Sequence, residues 1–266
     1  MTPDERVRSV CRTYRAQRTL GVPWEAGPLV TLVRDPARPD VWDANFGCDV
    51  KARTPAEIER VVDALDRRMA GVGVRKFFCD PLTPQPFVAS LAVRGFAREG
   101  TVQLVLDGPL RARPRPVAIR RAEGDDDWAS LAALTALDMG ESLAKAGHGP
   151  PGEDFLHQFV GLRRAVSDEM QMWIAGGPDG EDAGFFASWP GVDGLGMVEW
   201  LFVRPEQRRR GVATALVAHA VDDARQRGAD AVLIGASDGA DAVPRRLYAE
   251  LGFEPVCVTE EWSRFL

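Results

Sequence analysis

The sequence predicts an α/β protein made of two domains, and three features of the chain support that prediction. Its 266 residues exceed the length of a typical single domain. Short apolar stretches with the character of strands alternate with stretches of helical periodicity. Residues 111–116, RARPRP, read as a linker, because their prolines prevent regular structure and their arginines stay solvated. We therefore predict domains at residues 1–110 and 117–266, joined by residues 111–116.

The N-terminal half alternates helices and strands. Thr2 and Pro3 begin a helix that reaches residue 18, and Thr54 and Glu57 have the spacing of a capping box at the start of a second helix. The apolar stretches between turns predict four strands and one short helix. The strands are 29–34, 46–52, 74–79 and 102–106, and the short helix is 87–93.

The C-terminal half begins with a strand and a helix that has an acidic first turn, followed by a loop rich in glycine and proline. A second helix precedes three strands joined by glycine-containing turns, which predicts an antiparallel meander. A helix from Gly211 to about residue 228, a buried strand, another helix and the last strands follow. The ranges in order are 117–121, 125–137, 138–152 (loop), 155–166, 172–175, 183–189, 198–203, 211–228, 231–234, 242–251 and 253–265.

Residues 197–216, MVEWLFVRPEQRRRGVATAL, combine a strand, a basic turn and a helix start. Gly211 and Ala213 leave the backbone bare where the helix begins. Unpaired N–H groups and the positive end of the helix dipole favour an anion at such a point. Three consecutive arginines add positive charge around it: Arg208, Arg209 and Arg210. The segment suits a pyrophosphate, and the alternative is a basic helix start on a solvated face.

This segment resembles the signature of the GNAT superfamily of acyl-CoA-dependent N-acyltransferases: Arg or Gln, two residues, Gly, one residue, then Gly or Ala. Arg208, Gly211 and Ala213 occupy those positions after a strand, as in the family. The resemblance implies a GNAT fold for residues 117–266, a mixed, mostly antiparallel sheet flanked by helices. It also implies acetyl-CoA as cosubstrate and no metal requirement. The implied cofactor-binding residues are Leu201, Phe202, Val203, Arg208, Arg209, Arg210, Gly211, Val212, Ala213 and Thr214.

Two residues are candidates for proton transfer. Tyr248, one helical turn before Gly252 and Phe253, resembles the tyrosine that in the family protonates the departing CoA thiolate. Its alternative role is core packing. Glu199 is the candidate general base that accepts the proton of the amine, because strand alternation puts it on the face of Leu201 and Val203, beside the implied pantetheine arm. An exposed strand glutamate or an internal salt bridge is the alternative.

The N-terminal half repeats part of the second motif. KFFCD at 76–80 followed by LAVRGF at 91–96 parallels the strand and helix end around Tyr248, with Leu91 in the tyrosine's place. Pro55, which lacks an N–H group, and Glu57, which repels phosphate, stand where an anion site would be needed. We predict a degenerate GNAT-like unit at residues 1–110, in tandem with the acetyltransferase domain.

The predicted activity is transfer of an acetyl group from acetyl-CoA to a primary amine of a small molecule by direct attack. The alternatives are a non-catalytic acyl-CoA-binding sensor and a structural pseudoenzyme. A net charge of -6 argues against nucleic acid as a partner. Dispersed Cys and His residues predict no metal site. The sequence shows no secretory signal and no long apolar run, which predicts a cytoplasmic protein that does not bind membranes. A monomer and a homodimer both remain open.

Overall fold

The computed structural model divides the chain into two compact units. The first comprises Met1–Leu104, Gly235–Arg245 and Pro255–Leu266, and the second comprises Val105–Ile234 and Arg246–Glu254. Each unit therefore combines segments that are distant in sequence. The boundaries at 1–110, 111–116 and 117–266 stay a prediction. The structure describes residues 2–112, 114–145, 149–178, 180–239 and 243–266.

The elements predicted in the N-terminal half are present. Helices α1 (Pro3–Arg18) and α2 (Pro55–Arg68) each begin with a complete capping box, and α3 (Gln85–Val93) is the short helix. The predicted strand at 46–52 ends at Cys48, and one short strand was not predicted. The strands are β1 (Trp24–Ala26), β2 (Thr31–Arg34), β3 (Asn45–Cys48), β4 (Val74–Cys79) and β5 (Ala97–Leu106).

The C-terminal half differs from its prediction mainly in one helix. Its elements are β6 (Ile119–Arg121), α4 (Asp125–Lys145), α5 (Glu153–Ala165), β7 (Gln171–Gly176), β8 (Asp182–Val192), β9 (Leu195–Val203), α6 (Val212–Gln226), β10 (Ala231–Ser237), α7 (Val243–Leu251) and β11 (Glu254–Phe265). The predicted loop at 138–152 is wrong for residues 138–145, which continue α4. Leucine, alanine, methionine, glutamate and lysine favour the helix there, and together they outweigh Gly140. Residues 146–148 of that loop lie outside the described part of the chain.

The first unit is built on a mixed sheet. Its strands follow the order β1-β2-β3-β4-β11-β5, and the pair β3–β4 is parallel while β1–β2, β2–β3 and β4–β11 are antiparallel. The core packs α2 and α3 against this sheet, with Leu65, Phe77 and Phe87 fully buried. Because β11 pairs with β4 from Glu260 opposite Cys79 to Phe265 opposite Val74, the end of the chain belongs to this sheet. The sequence predicts residues 253–265 as part of the domain 117–266.

The second unit carries the predicted meander. Its strands follow the order β10-β9-β8-β7-β6, in which β6–β7, β7–β8 and β8–β9 are antiparallel and β9–β10 is parallel. Helix α6 packs on β7, β8 and β9. The hydroxyl of Ser188 on β8 accepts a hydrogen bond from the Trp173 indole N–H on β7 and donates one to Asp223 on α6. This buried chain of hydrogen bonds fixes α6 against the sheet.

Each unit contains the same sequence of elements once. In the first, the antiparallel pair β2–β3 is followed by α2 and by β4, parallel to β3. In the second, β8–β9 is followed by α6 and by β10, parallel to β9. Parallel neighbours require such a helical crossover. The short repeat in sequence therefore corresponds to a repeat in topology.

Candidate active site

A β-bulge interrupts β9 at Trp200. Phe202 lies opposite Phe185 and Glu199 lies opposite Ala187, so two residues of β9 face one residue of β8. Trp200 has φ of 64°, a left-handed backbone that a bulky side chain adopts only under constraint. The bulge changes which residues share a face, because Glu199 now lies on the same face as Phe202. The expectation that Glu199 shares the face of Leu201 and Val203 is wrong, since strict alternation ends at Trp200.

The opposite edge of β9 is only partly paired. Its register with β10 runs from Leu195 opposite Ala231 to Val198 opposite Ile234. The segment Glu199–Val203 lies beyond that register. An extended ligand binds such a strand segment through backbone hydrogen bonds. Glu199 and Leu201 both lie in this segment and are half-buried. The side chain of Glu199 is on the face of the sheet opposite to that of Ser188.

The basic turn after β9 is held by Arg208. Its guanidinium donates to the carbonyl oxygen of Val203 at 2.9 Å and to both carboxylate oxygens of Glu141 at 2.9 and 2.7 Å. Glu141 lies in the part of α4 that the sequence did not predict. A bidentate guanidinium–carboxylate pair fixes orientation as well as charge. The structure therefore places Arg208 as a support of the turn, while Arg209 and Arg210 are exposed beside it.

Helix α6 begins with free backbone donors. Gly211 is its N-cap residue with φ of 88°, and no side chain caps the helix. The first helical hydrogen bond joins the Ala215 N–H to the Gly211 carbonyl at 3.0 Å, so the N–H groups of Val212, Ala213 and Thr214 have no partner within the helix. Together with the positive end of the helix dipole they form an arrangement that binds anions.

The helix that carries Tyr248 ends directly before β11. Gly252, with φ of 102°, follows α7, and the Phe253 N–H donates to the Tyr248 carbonyl at 3.0 Å. Tyr248 is 4% exposed, and burial raises the pKa of its phenol. The side chain therefore stays protonated near neutral pH, as a proton or hydrogen-bond donor must.

The corresponding helix start in the first unit is already occupied by its own carboxylate. Glu57 accepts hydrogen bonds from the N–H groups of Arg53 at 2.9 Å and Thr54 at 3.0 Å, and Thr54 accepts from the Glu57 N–H. The Arg53 and Thr54 backbone donors lower the pKa of the Glu57 carboxyl. A negative charge thus stays at this helix start at neutral pH, which opposes binding of a phosphate.

All twelve residues singled out from the sequence lie in the second unit. Glu199 and Leu201–Val203 are on β9, Arg208–Gly211 form the turn, Val212–Thr214 begin α6, and Tyr248 is on α7. Sequence reasoning missed Trp200, whose left-handed backbone has no local signal, and Glu141, which was assigned to a loop.

Within the described ranges, no group of three or more His, Cys, Asp or Glu side chains has the geometry to hold a metal ion. None of the helices described there has both the length and the apolar character to cross a bilayer.

A strand with a bulge, a basic turn and an uncapped helix start define the class of site: an anion-binding strand–turn–helix. Residues 137–253, which include this segment and Tyr248, match the model of the acetyltransferase (GNAT) family. The match agrees with the resemblance predicted from the sequence. The family's fold supports acyl-CoA-dependent acetyl transfer, with acetyl-CoA as cosubstrate. A comparison with curated proteins found no match.

Solved structures share the fold over most of the chain. A GCN5-related N-acetyltransferase from Kribbella flavida is 17% identical, with a TM-score of 0.67 over 97% of this chain and 94% of that one. A conserved protein of unknown function from Staphylococcus epidermidis is 11% identical, with a TM-score of 0.69 over 92% and 95%. A tandem GNAT protein from the clavulanic acid biosynthesis pathway is 15% identical, with a TM-score of 0.56 over 89% and 78%. The predicted fold class, α/β with mostly antiparallel sheet in a tandem GNAT arrangement, is confirmed.

Proposed function

We propose that this protein transfers the acetyl group of acetyl-CoA to a primary amine of a small molecule. The observation that carries the proposal is the uncapped start of α6 behind the bulged strand β9, in a segment that matches the GNAT model. An anion site at a helix start alone would fit many phosphorylated ligands. Its position directly after β9, whose register with β10 ends at Val198, fits a ligand that has a pyrophosphate and a long extended arm.

The chain offers a group for each part of acetyl-CoA. The N–H groups of Val212–Thr214 bind the pyrophosphate, and the exposed Arg209 and Arg210 add a favourable field. The backbone of Leu201–Val203 binds the pantetheine arm beyond the β9–β10 register. Donors on the same segment polarise the thioester carbonyl as the amine attacks.

Two side chains handle the protons. The attacking amine must lose a proton, and Glu199, half-buried on β9, accepts it directly or through a water. Tyr248 donates to the sulfur as the bond between carbonyl carbon and sulfur breaks. Burial keeps its phenol protonated, so the donor is ready before the thiolate develops.

The first unit supplies structure without a second cofactor site. Its helix start at α2 is filled by Glu57, and Leu91 is fully buried where the repeat would place a tyrosine. We therefore infer that it is a degenerate GNAT-like unit, and that each chain binds one acetyl-CoA. The acceptor is assigned as a small amine by analogy with enzymes of this fold class.

The proposal is tested by calorimetric titration of the full chain with acetyl-CoA, followed by assay of free thiol release with a panel of amines. One site per chain and amine-dependent thiol release are expected. Binding without thiol release from any amine would indicate the acyl-CoA-binding sensor instead. Two equivalent sites per chain would show that the first unit has been misinterpreted, and no binding would refute the proposal.

A further inference from the structure

Trp200 has a backbone conformation that is unusual for its residue type. Four non-glycine residues in the described chain have positive φ: Asp49, Asp193, Trp200 and Arg209. Trp200 differs from the others because it lies inside a strand and has a large side chain. A bulky residue leaves this conformation unless neighbouring groups hold it there.

Arg163 holds the Trp200 ring against α5. Its guanidinium carbon lies 4.0 Å from the centroid of the Trp200 ring and 3.6 Å from that of Phe159. Arg163 is in the last turn of α5 and is 6% exposed. A guanidinium between two aromatic faces is attracted to both, and the attraction is strongest where water is excluded. The two rings and the cation thus form a clamp, defined here as Phe159, Arg163 and Trp200.

The first unit contains a counterpart with different chemistry. Asp49 has φ of 50° directly after β3, and its carboxylate forms an ion pair with Arg15 in the last turn of α1. The two units therefore share an arrangement. A residue with positive φ lies at or near the end of the strand before the crossover helix, and an arginine in the last turn of another helix contacts it. Aspartate tolerates the left-handed region better than tryptophan does. The second unit accordingly needs the stronger constraint.

The bulge also determines where the proposed base points. Without it, Glu199 and Phe202 would lie on opposite faces of β9, whereas the structure places both on the face of Phe185 and Ala187. Glu199 is adjacent to Trp200, and Leu201 follows it. A change in the backbone at Trp200 would therefore turn Glu199 or the Leu201 backbone away from its present direction.

We propose that Arg163 is a positioning residue for acetyl transfer, which acts by clamping Trp200 and so keeps the bulge that orients Glu199 and the backbone of Leu201. The catalytic part of this inference rests on the proposed function. Arg163 acts through Trp200, and the start of α6 is not involved. Loss of the clamp should therefore lower kcat by a much larger factor than it raises the Kd for acetyl-CoA, because the pyrophosphate contacts at the start of α6 remain.

The test compares Arg163→Met, which keeps length and apolar packing, with Arg164→Met, which removes a neighbouring, half-exposed arginine that pairs with Asp125. We expect kcat of Arg163→Met to fall roughly tenfold or more, with the Kd for acetyl-CoA within about threefold of wild type. Arg164→Met should match wild type in both. Arg163→Lys keeps the charge and serves as the folded comparison if the methionine variant does not fold, with a smaller fall in kcat because the ammonium lacks the planar face.

A second background separates positioning from general stability. Glycine adopts positive φ without strain, so Trp200→Gly keeps the bulge with no need for a clamp. Adding Arg163→Met to Trp200→Gly should then change kcat by less than about twofold. If Arg163→Met lowers kcat as much in the glycine background as in wild type, the positioning role is wrong.

The same variants distinguish this inference from the proposed function. If wild type transfers acetyl groups and Arg163→Met does so equally fast, the inference alone is overturned. If wild type neither binds nor consumes acetyl-CoA, the proposed function fails and the catalytic role of Arg163 fails with it. A crystal structure of Arg163→Met then decides the clamp itself: a changed Trp200 φ supports it, and an unchanged one refutes it.

Discussion

Gly211→Asp should abolish tight binding of acetyl-CoA while leaving the protein folded. The variant places a carboxylate at the N-cap of α6, so that this helix start carries its own negative charge, as the start of α2 does through Glu57 three residues after its N-cap Thr54. With an effective dielectric constant of about 20 and a separation of about 5 Å, one carboxylate charge and one phosphate charge repel by about 3 kcal/mol. Since every 1.4 kcal/mol is a factor of ten, the Kd should rise roughly 100-fold or more.

The stability cost of this substitution can be measured separately. Gly211 has φ of 88°, and a non-glycine residue there costs about 1–2 kcal/mol. Gly71→Asp is the matched control, because Gly71 has φ of 81°, lies in the first unit and has open space around its Cβ position. Both variants should lose similar unfolding free energy in urea, and only Gly211→Asp should lose affinity by calorimetry. Unchanged acetyl-CoA affinity in Gly211→Asp, or an equal loss in Gly71→Asp, would refute the assignment of the phosphate site.

Three further substitutions test other parts of the site. Tyr248→Phe should bind acetyl-CoA normally and lower kcat by roughly 10²- to 10⁴-fold, because it removes the donor to the sulfur; a steady-state assay with kcat within about threefold of wild type would reduce Tyr248 to core packing. Arg208→Gln should raise the Kd for acetyl-CoA less than about tenfold, since its guanidinium is bound to Glu141 rather than left to the ligand; calorimetry showing a loss as large as that of Gly211→Asp would contradict this. Ser188→Ala should lower the free energy of unfolding in urea by about 1–3 kcal/mol, because the hydroxyl is buried between Trp173 and Asp223; no change would show that these groups find other partners.

The two helix starts differ in how their backbone donors are satisfied. At α2, Thr54 and Glu57 complete a capping box, so the helix supplies its own anion. At α6, Gly211 contributes no side chain, so the donors of Val212–Thr214 stay available. A capped helix start stabilises the protein, and an uncapped one leaves that stabilisation to a ligand.

Part of the candidate site could be predicted because its signals are local. The glycine at a helix start, the basic turn before it and the position of Tyr248 one turn before Gly252 all depend on residues close in sequence. The structure gives Gly211 as the N-cap of α6 and Tyr248 as a buried residue of α7. The face of Glu199 was predicted wrongly because the prediction assumed an unbroken strand. The bulge lies at Trp200, whose ring contacts Arg163, a residue distant in sequence.

The sequence by itself determined the helices, most of the strands, the glycine-bearing start of α6 and the match of residues 137–253 to the GNAT family model. Periodicity, capping residues and turn chemistry act over a few residues, so they can be read from the chain alone. Only the tertiary structure decided that β11 pairs with β4, that Arg208 binds Glu141 and that Trp200 adopts positive φ. Each of these depends on groups that folding brings together from distant parts of the sequence, and no local preference specifies such a partner.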